Sequence, residues 1–578
     1  MKRFAAVAFA LCILPALIAH AAEPAETPKP ARALTQAARK YLVEKYFKGV
    51  DVNDKSLDEA CEILRLPKSM ADDVSKLEWE KGQLERFATP KLFFLAKCPD
   101  GKTRAICFRK DERRNDRALD DARLRILRRL YSDAGYNAKP APELERWLDV
   151  SQFKTVDLFR ALLGKMADAK LSLDDATLER FQKNLTKDGV PRIELYRALS
   201  ALAECENAGP LCQAGIWLIS RMDAMSFTRE DRKSGIADLD AMDARTLFEN
   251  VFYAVKARNE FSWCKQVSEA DFFQHVLSPR GTGEPLQRWR RHFYEALAPE
   301  LKDVKDAKAA INLAVTVCYD FFQYEGDTTW EDFGMLSALA VHEGRCEDCS
   351  NVENCLLRSI GLPACQAFTP FWGHGDGNHA WTEIPGLRDV SGDGANGVKL
   401  YIKNWDGLVD VTEQYTPVTR IEVATAGKGK ASLNVFNDGE WRVVARAEIK
   451  EGKAAFEKVG CRRNFALVVR VDGEKDRLYD VRSDKSVREL KAAVPEEGRF
   501  ECKFDKQSPL GEFKPDKDCK VEIWTPEGFK EVESERVSTG ALKFSAHPDC
   551  MYRLIGEGMS NRLFTVELKD GAVVTLVR

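Results

Sequence analysis

Gly344-Arg345-Cys346-Glu347-Asp348-Cys349-Ser350, followed about thirty residues on by Asn378-His379-Ala380-Trp381-Thr382-Glu383, sets a candidate thiol nucleophile against a candidate base. Between them, Leu357-Arg358-Ser359-Ile360-Gly361-Leu362-Pro363 reads as the end of a helix that begins near Cys346 and is stopped by the glycine and the proline. A cysteine at a helix N-terminus meets unpaired amides and the positive end of the helix dipole, both of which favour the thiolate that attacks carbonyl carbon. In the second segment, alternation puts His379, Trp381 and Glu383 on one face of a strand and Ala380 and Thr382 on the other. The imidazole is then expected to point at the helix start.

These motifs carry a resemblance. Gly-x-Cys at a helix start, Leu-Arg-x-x-Gly-Leu-Pro at its end and His-Ala-Trp-x-Glu on a following strand resemble the transglutaminase-like core, a relative of the papain-like cysteine proteases. Phe368-Thr369-Pro370-Phe371-Trp372-Gly373-His374, and the helical segment with Glu284-Pro285-Leu286 and Trp289-Arg290, are similar to parts of large exported bacterial members. The resemblance covers roughly residues 245–420, a domain-sized stretch. It implies an α+β core in which Cys346 forms a thioester with His379 as base, resolved by water (amide or peptide hydrolysis) or by an amine (acyl transfer). It implies no metal or organic cofactor. The family usually adds an Asp on the next strand to orient the imidazole. A hairpin turn at Pro385-Gly386 would set Asp393 beside His379, so Asp393 is the expected third member and Asp389 the second choice. The family's Trp-x-x-x-Asp is missing here, which leaves Asn404 and Asp406 as alternatives.

A chain of 578 residues should fold as three or four domains. Met1-Lys2-Arg3, an apolar run through Ile18 and then Ala19-His20-Ala21 read as a secretory signal peptide over residues 1–22, with the mature chain starting near Ala22 or Glu23. The product is expected to be exported, to a periplasm or the outside. No other segment approaches the ~20 apolar residues of a membrane span, and Cys12 reads as an ordinary signal-peptide residue, without a lipid anchor. Without Lys2 and Arg3, 86 basic residues face 91 acidic ones, a balance that argues against nucleic-acid binding. The clusters Arg125–Arg129 and Arg288–Arg291 read as solvated helix faces.

Sixteen cysteines less Cys12 leave fifteen, an odd number in an oxidising compartment. Cys98 with Cys107, Cys205 with Cys212, and Cys502 with Cys519 are close enough in sequence to pair, with Cys346 left free. Cys346-x-x-Cys349 has redox spacing, and a disulfide between the two would silence a thiol enzyme. Cys349, Cys355, Cys365, His374 and His379 could be read as a zinc set, though no second close ligand pair accompanies the Cys-x-x-Cys. Asp389-x-Ser391-x-Asp393-Gly394 has half of a calcium loop, but Leu400 stands where its Glu belongs. His342 and His374 are spare candidates for the base.

Around the core, residues 34–245 show helical periodicity and are expected to be all-α. The core itself is placed at 246–415. Short β-type runs separated by turns such as Asn437-Asp438-Gly439 suggest two immunoglobulin-like β-sandwich modules, 418–495 and 496–578. The expected partner is a protein or peptide substrate, with cell-envelope or extracellular glycan as a further candidate. The rival expectation is a noncatalytic peptide- or glycan-binding protein on a degenerate core.

Overall fold

The computed structural model describes residues 34–80, 91–109, 112–148, 173–224, 226–227, 236–326, 332–386, 393–405, 407–493, 499–504, 519–538, 541–556, 563–569 and 572–577. The signal-peptide reading, the helical pattern at Phe159, Leu162 and Leu163, and the candidates Asp389 and Asp406 lie outside the described residues.

The N-terminal region is mixed rather than all-helical. After helix α1 (Gln36–Lys45), strands β1 (Cys61–Ile63), β2 (Lys91–Lys97), β3 (Thr103–Arg109) and β4 (Glu112–Leu119) form an antiparallel meander in that order. One face, with Phe93, Leu95, Ala105 and Cys107, joins the central core, while the other, with Phe94, Ala96, Ile106 and Phe108, packs on α1. A strand buried on both faces loses polar alternation and reads as an unbroken apolar run, which is why Leu92-Phe93-Phe94-Leu95 gave no strand signal. The same geometry excludes the Cys98–Cys107 bridge, because the two thiols belong to opposite faces. Among the described residues no disulfide joins any of the fifteen cysteines, Cys205, Cys212, Cys502 and Cys519 included.

Helices α2 (Asp121–Leu130), α3 (Asp175–Asn184), α4 (Ile193–Glu204), α5 (Ala208–Arg221), α6 (Ala244–Glu260), α7 (Trp289–Leu301), α8 (Ala307–Phe321) and α9 (Cys346–Ser359) follow. Side-chain caps fix the starts of α2 and α6, Asp120 on the Arg123 amide at 2.9 Å and Asp243 on the Thr246 amide at 2.7 Å. The arginines of α7 depart from the expected solvated face. Arg290 is 2 % exposed, and its guanidinium donates to Asn250 Oδ1 at 2.7 Å and to the carbonyls of Arg358 at 2.8 Å, Val276 at 2.7 Å and Ser278 at 2.9 Å. A planar five-donor group can join three segments at once, which hydropathy patterning does not register. Among the described residues no helix is long and apolar enough to cross a membrane.

His342, one of the spare bases, is structural. It lies in the left-handed region (φ 62), its ring packs 4.6 Å from that of Phe93, and its Nδ1 donates to the Phe321 carbonyl at 3.0 Å. Burial pulls its pKa down to about 4. Above the unfolded value near 6.5 both states are neutral; as the pH falls toward about 4 the unfolded chain gains a proton that the folded one refuses, so stability drains away across that window, by at most about 3 kcal/mol from this group. His342→Asn, which keeps a residue tolerant of positive φ, is expected to flatten the acid loss. Urea unfolding at neutral pH and just above pH 4 would read it, and an unchanged loss would clear His342 of the role.

Beyond α9 lies a four-stranded sheet. Strands β5 (Gln323–Tyr324) and β6 (Glu343–Gly344) pair in parallel beside the helix start, and β7 (Cys365–Thr369), β8 (His379–Glu383), β9 (Tyr401–Asn404) and β10 (Gly407–Asp410) form the sheet in the order β8-β7-β9-β10. Residues 418–489 then make one seven-stranded antiparallel sheet: β11 (Val418–Ala424), β12 (Lys430–Asn437), β13 (Glu440–Lys450), β14 (Lys453–Gly460), β15 (Phe465–Val471), β16 (Arg477–Val481) and β17 (Val487–Glu489), in the order β11-β14-β13-β12-β15-β16-β17. Ile421 and Val423 near one edge share a core with Leu467, Val469 and Val481 near the other, so the sheet is folded over on itself. The last module sets a three-stranded sheet against a five-stranded one, with Leu542 and Phe544 of the first meeting Tyr552, Phe564 and Val566 of the second. Among the described residues the C-terminal region is thus rich in antiparallel strands.

Candidate active site

Glycine at position 344 is required by crowding, since a Cβ there would lie 2.7 Å from Asp348 Cβ and 2.9 Å from the Phe322 ring. That closeness brings β6 straight into α9. Arg345 is the N-cap residue, its amide bonded to Asp348 Oδ2 at 2.9 Å, and Cys346 is the first helical residue. At the far end, Gly361 takes φ +77 and the Leu362 amide returns to the Leu357 carbonyl at 3.1 Å, a glycine stop.

Helix α9 packs across β7 and β8. The alternation on β8 holds, but the expected facing is inverted. Ala380 and Thr382 lie toward the helix, with Thr382 Oγ1 donating to the Ser350 carbonyl at 3.4 Å. On the other face, Trp381 Nε1 donates to the Tyr415 hydroxyl at 3.2 Å, and that hydroxyl donates to Glu383 at 2.5 Å. Only small side chains let a helix approach a strand closely, so the bulky set turns away. Cys346 still meets β8 at the end of the strand that His379 opens, and β8 ends the strand order among the described residues. The main-chain amide of Ala380, next to His379, bonds the Cys346 sulfur and favours its thiolate. The imidazole sits between two indoles, 6.0 Å from the Trp372 ring and 5.6 Å from the Trp381 ring, with His374 5.0 Å from Trp372. The position of His374 makes it a wall of the site.

The electrostatics run against the expected activated thiol. Burial, then the charge of Glu347 and its hydrogen bond, push Cys346 up to about 12, outweighing the amides of Ala380 and Glu347. Glu347 Oε2 accepts from the thiol at 3.1 Å, and Oε1 accepts from Asn378 Nδ2 at 3.0 Å. At rest the Cys346 thiol is therefore neutral. Cys349 is a separate thiol 3.9 Å from the Gly344 carbonyl. The zinc alternative does not assemble, since Cys355 and Cys365 are buried in different cores.

Asp393 opens a short 3-10 turn, Asp393–Asn396, rather than a strand beside β8. Asn404 ends β9, with β7 between that strand and β8. Neither Glu347 nor Asn378 was picked out by motif, although both flank motif residues. Asn437, from the far β-sheet, carries in the sequence only the signal of a turn. Its side-chain amide donates to the carbonyls of Trp372 at 3.0 Å, Gly375 at 2.9 Å and Gly377 at 2.9 Å, and its oxygen accepts from the Gly377 amide at 3.1 Å. It staples the loop that carries Trp372 and leads into His379.

Residues 295–389, from within α7 to just past β8, match the family model of the transglutaminase-like superfamily. This stretch resembles a transglutaminase-like core. The matched range contains both Cys346 and His379 and ends short of Asp393. Among solved structures the chain is similar to a protein of Cytophaga hutchinsonii described as a candidate cysteine protease, at 11 % sequence identity and a TM-score of 0.15. The overlap covers 36 % of this chain and 53 % of that one, so the chain spans about half of that protein's length. A likeness this slight carries no weight for the chemistry of the transglutaminase-like core. No curated protein matches the chain.

Proposed function

We infer that the transglutaminase-like core is a cysteine-dependent acyl-transfer site acting on an amide or peptide carbonyl of a protein or peptide. The observation that carries this reading is the meeting of Cys346, at the first turn of α9, with the start of β8, where the Ala380 amide bonds the sulfur and His379 is the residue before it. In the proposed cycle His379 takes the Cys346 proton and Sγ attacks the carbonyl carbon, while the Cys346 main-chain amide faces the developing oxyanion. The imidazolium returns its proton to the departing amine as the C–N bond breaks, leaving a thioester on Cys346. Water then yields the acid, or a second amine yields a new amide, and the thiol is restored. Asp393 remains the proposed orienting residue for the imidazole, and export the proposed destination of the chain.

One observation favours a second reading, the noncatalytic peptide-binding protein: a thiol held protonated at rest is a poor nucleophile until something relieves it. Mixing the protein with p-nitrophenyl acetate separates the two. A burst of about one p-nitrophenolate per chain, with the acetyl group on Cys346 by mass spectrometry, is expected, and Cys346→Ala should abolish it. A burst of the same size in Cys346→Ala would sink the acyl-transfer reading and leave the binding one.

A further inference from the structure

Two acids stand in the first turn of α9, and one of them does the capping. Asp348 holds the Arg345 amide, which is what an acid at that position commonly does. Glu347 is turned instead into the site, where one carboxylate oxygen accepts from the Cys346 thiol at 3.1 Å and the other from Asn378 at 3.0 Å. A carboxylate against a nucleophilic sulfur opposes the ionisation that attack requires. Hydrolysis of a neutral substrate gains nothing from it. The neighbouring cation does not cancel it either, because Arg345 is gripped by Asp332 at 2.5 Å and Asp348 at 3.2 Å. Beside this carboxylate Tyr324 stands 67 % exposed on β5, close enough to feel the charges of Cys346 and Glu347. An anion next to an exposed aromatic face is a seat suited to a cation.

We propose that Glu347 is a specificity carboxylate that receives a cationic group of the substrate, a primary ammonium or a guanidinium carried near the reacting carbonyl, with Tyr324 as the adjoining wall. The inference rests on Cys346 as the nucleophile and adds the chemical class of what is bound there. A cation on Glu347 replaces the thiol as hydrogen-bond donor and neutralises the charge that holds the proton on sulfur. The nucleophile is released when a cationic substrate is seated and stays protonated when a neutral one passes.

The test uses three methanethiosulfonates of similar size: ethylammonium, uncharged ethyl and ethylsulfonate. In each case the Cys346 thiolate attacks the sulfenyl sulfur, a mixed disulfide forms and methanesulfinate leaves. Rates at Cys346 are read by peptide mass spectrometry, with Cys346→Ala as background, and each is divided by that reagent's rate with 2-mercaptoethanol. The ammonium reagent is expected to modify the wild type about tenfold faster than the uncharged one, with the sulfonate slowest. Glu347→Gln keeps the shape without the charge; it should bring the ammonium and uncharged rates within about twofold and speed the uncharged reagent. Equal normalised rates in the wild type, a comparison that needs no variant to fold, would overturn the proposal, as would a tenfold preference that survives Glu347→Gln. Silence toward all three reagents would remove Cys346 as nucleophile and the proposal with it, whereas equal reaction with all three would remove the cation seat alone.

Discussion

His379→Ala should slow acylation of Cys346 by about 10²-fold or more. The size follows from the resting thiol. With Cys346 pushed up to about 12, the sulfur is almost wholly protonated at neutral pH, so acylation needs a base to take the proton as sulfur attacks. His379, the proposed base, directly precedes the Ala380 amide that bonds the sulfur, and its ring lies 6.0 Å from that of Trp372 and 5.6 Å from that of Trp381. Without the imidazole, hydroxide must serve, and the rate of the variant should climb about tenfold per pH unit from neutral into the alkaline range. The burst phase with p-nitrophenyl acetate, followed against pH in the two proteins, supplies the comparison. A variant within about threefold of the wild type at neutral pH would mean that the imidazole takes no part.

The second large effect is on stability. Arg290→Met should cost on the order of 3–5 kcal/mol, because it leaves Asn250 Oδ1 and three carbonyls buried without their donor and removes a cation stationed at the C-terminal end of α9. Arg290→Lys should recover little of it, since one ammonium cannot reach acceptors spread over α6, α9 and the segment before α7. The midpoint of guanidinium unfolding would report both, and a methionine variant within about 1 kcal/mol of the wild type would show that those carbonyls find other donors. The residue matters to the site because the Arg358 carbonyl it holds closes the helix that Cys346 opens.

What was legible in the sequence was local. A helix with Cys346 at its first residue and a glycine stop at Gly361, and a strand beginning at His379, are written in short-range signals of capping and alternation, and the structure has both. Which face of β8 meets the helix was not legible, because it depends on how closely the helix must approach, and small Ala380 and Thr382 decide that only once packing is known. The sheet β1–β4 was hidden by burial on both faces. Arg290 reads as a surface residue until its four acceptors, three of them main-chain, are counted. The carboxylate at Glu347 could have been noticed from its place beside the nucleophile, but its direction of turn could not. Asp393 follows from a hairpin at Pro385-Gly386 whose return segment lies outside the described residues, and its own backbone starts a 3-10 turn.

Asn437 lies at the end of β12, well downstream of the loop whose carbonyls it gathers. A ribosome delivers the chain from the N-terminus, so Cys346 and His379 both exist before the residue that sets the loop between them has been made. During that interval the thiol and the imidazole are joined by an unfastened loop. The wait ends when β12 has paired with β13 and β15, which makes folding of the sheet downstream of the core the event that fastens the loop ahead of His379.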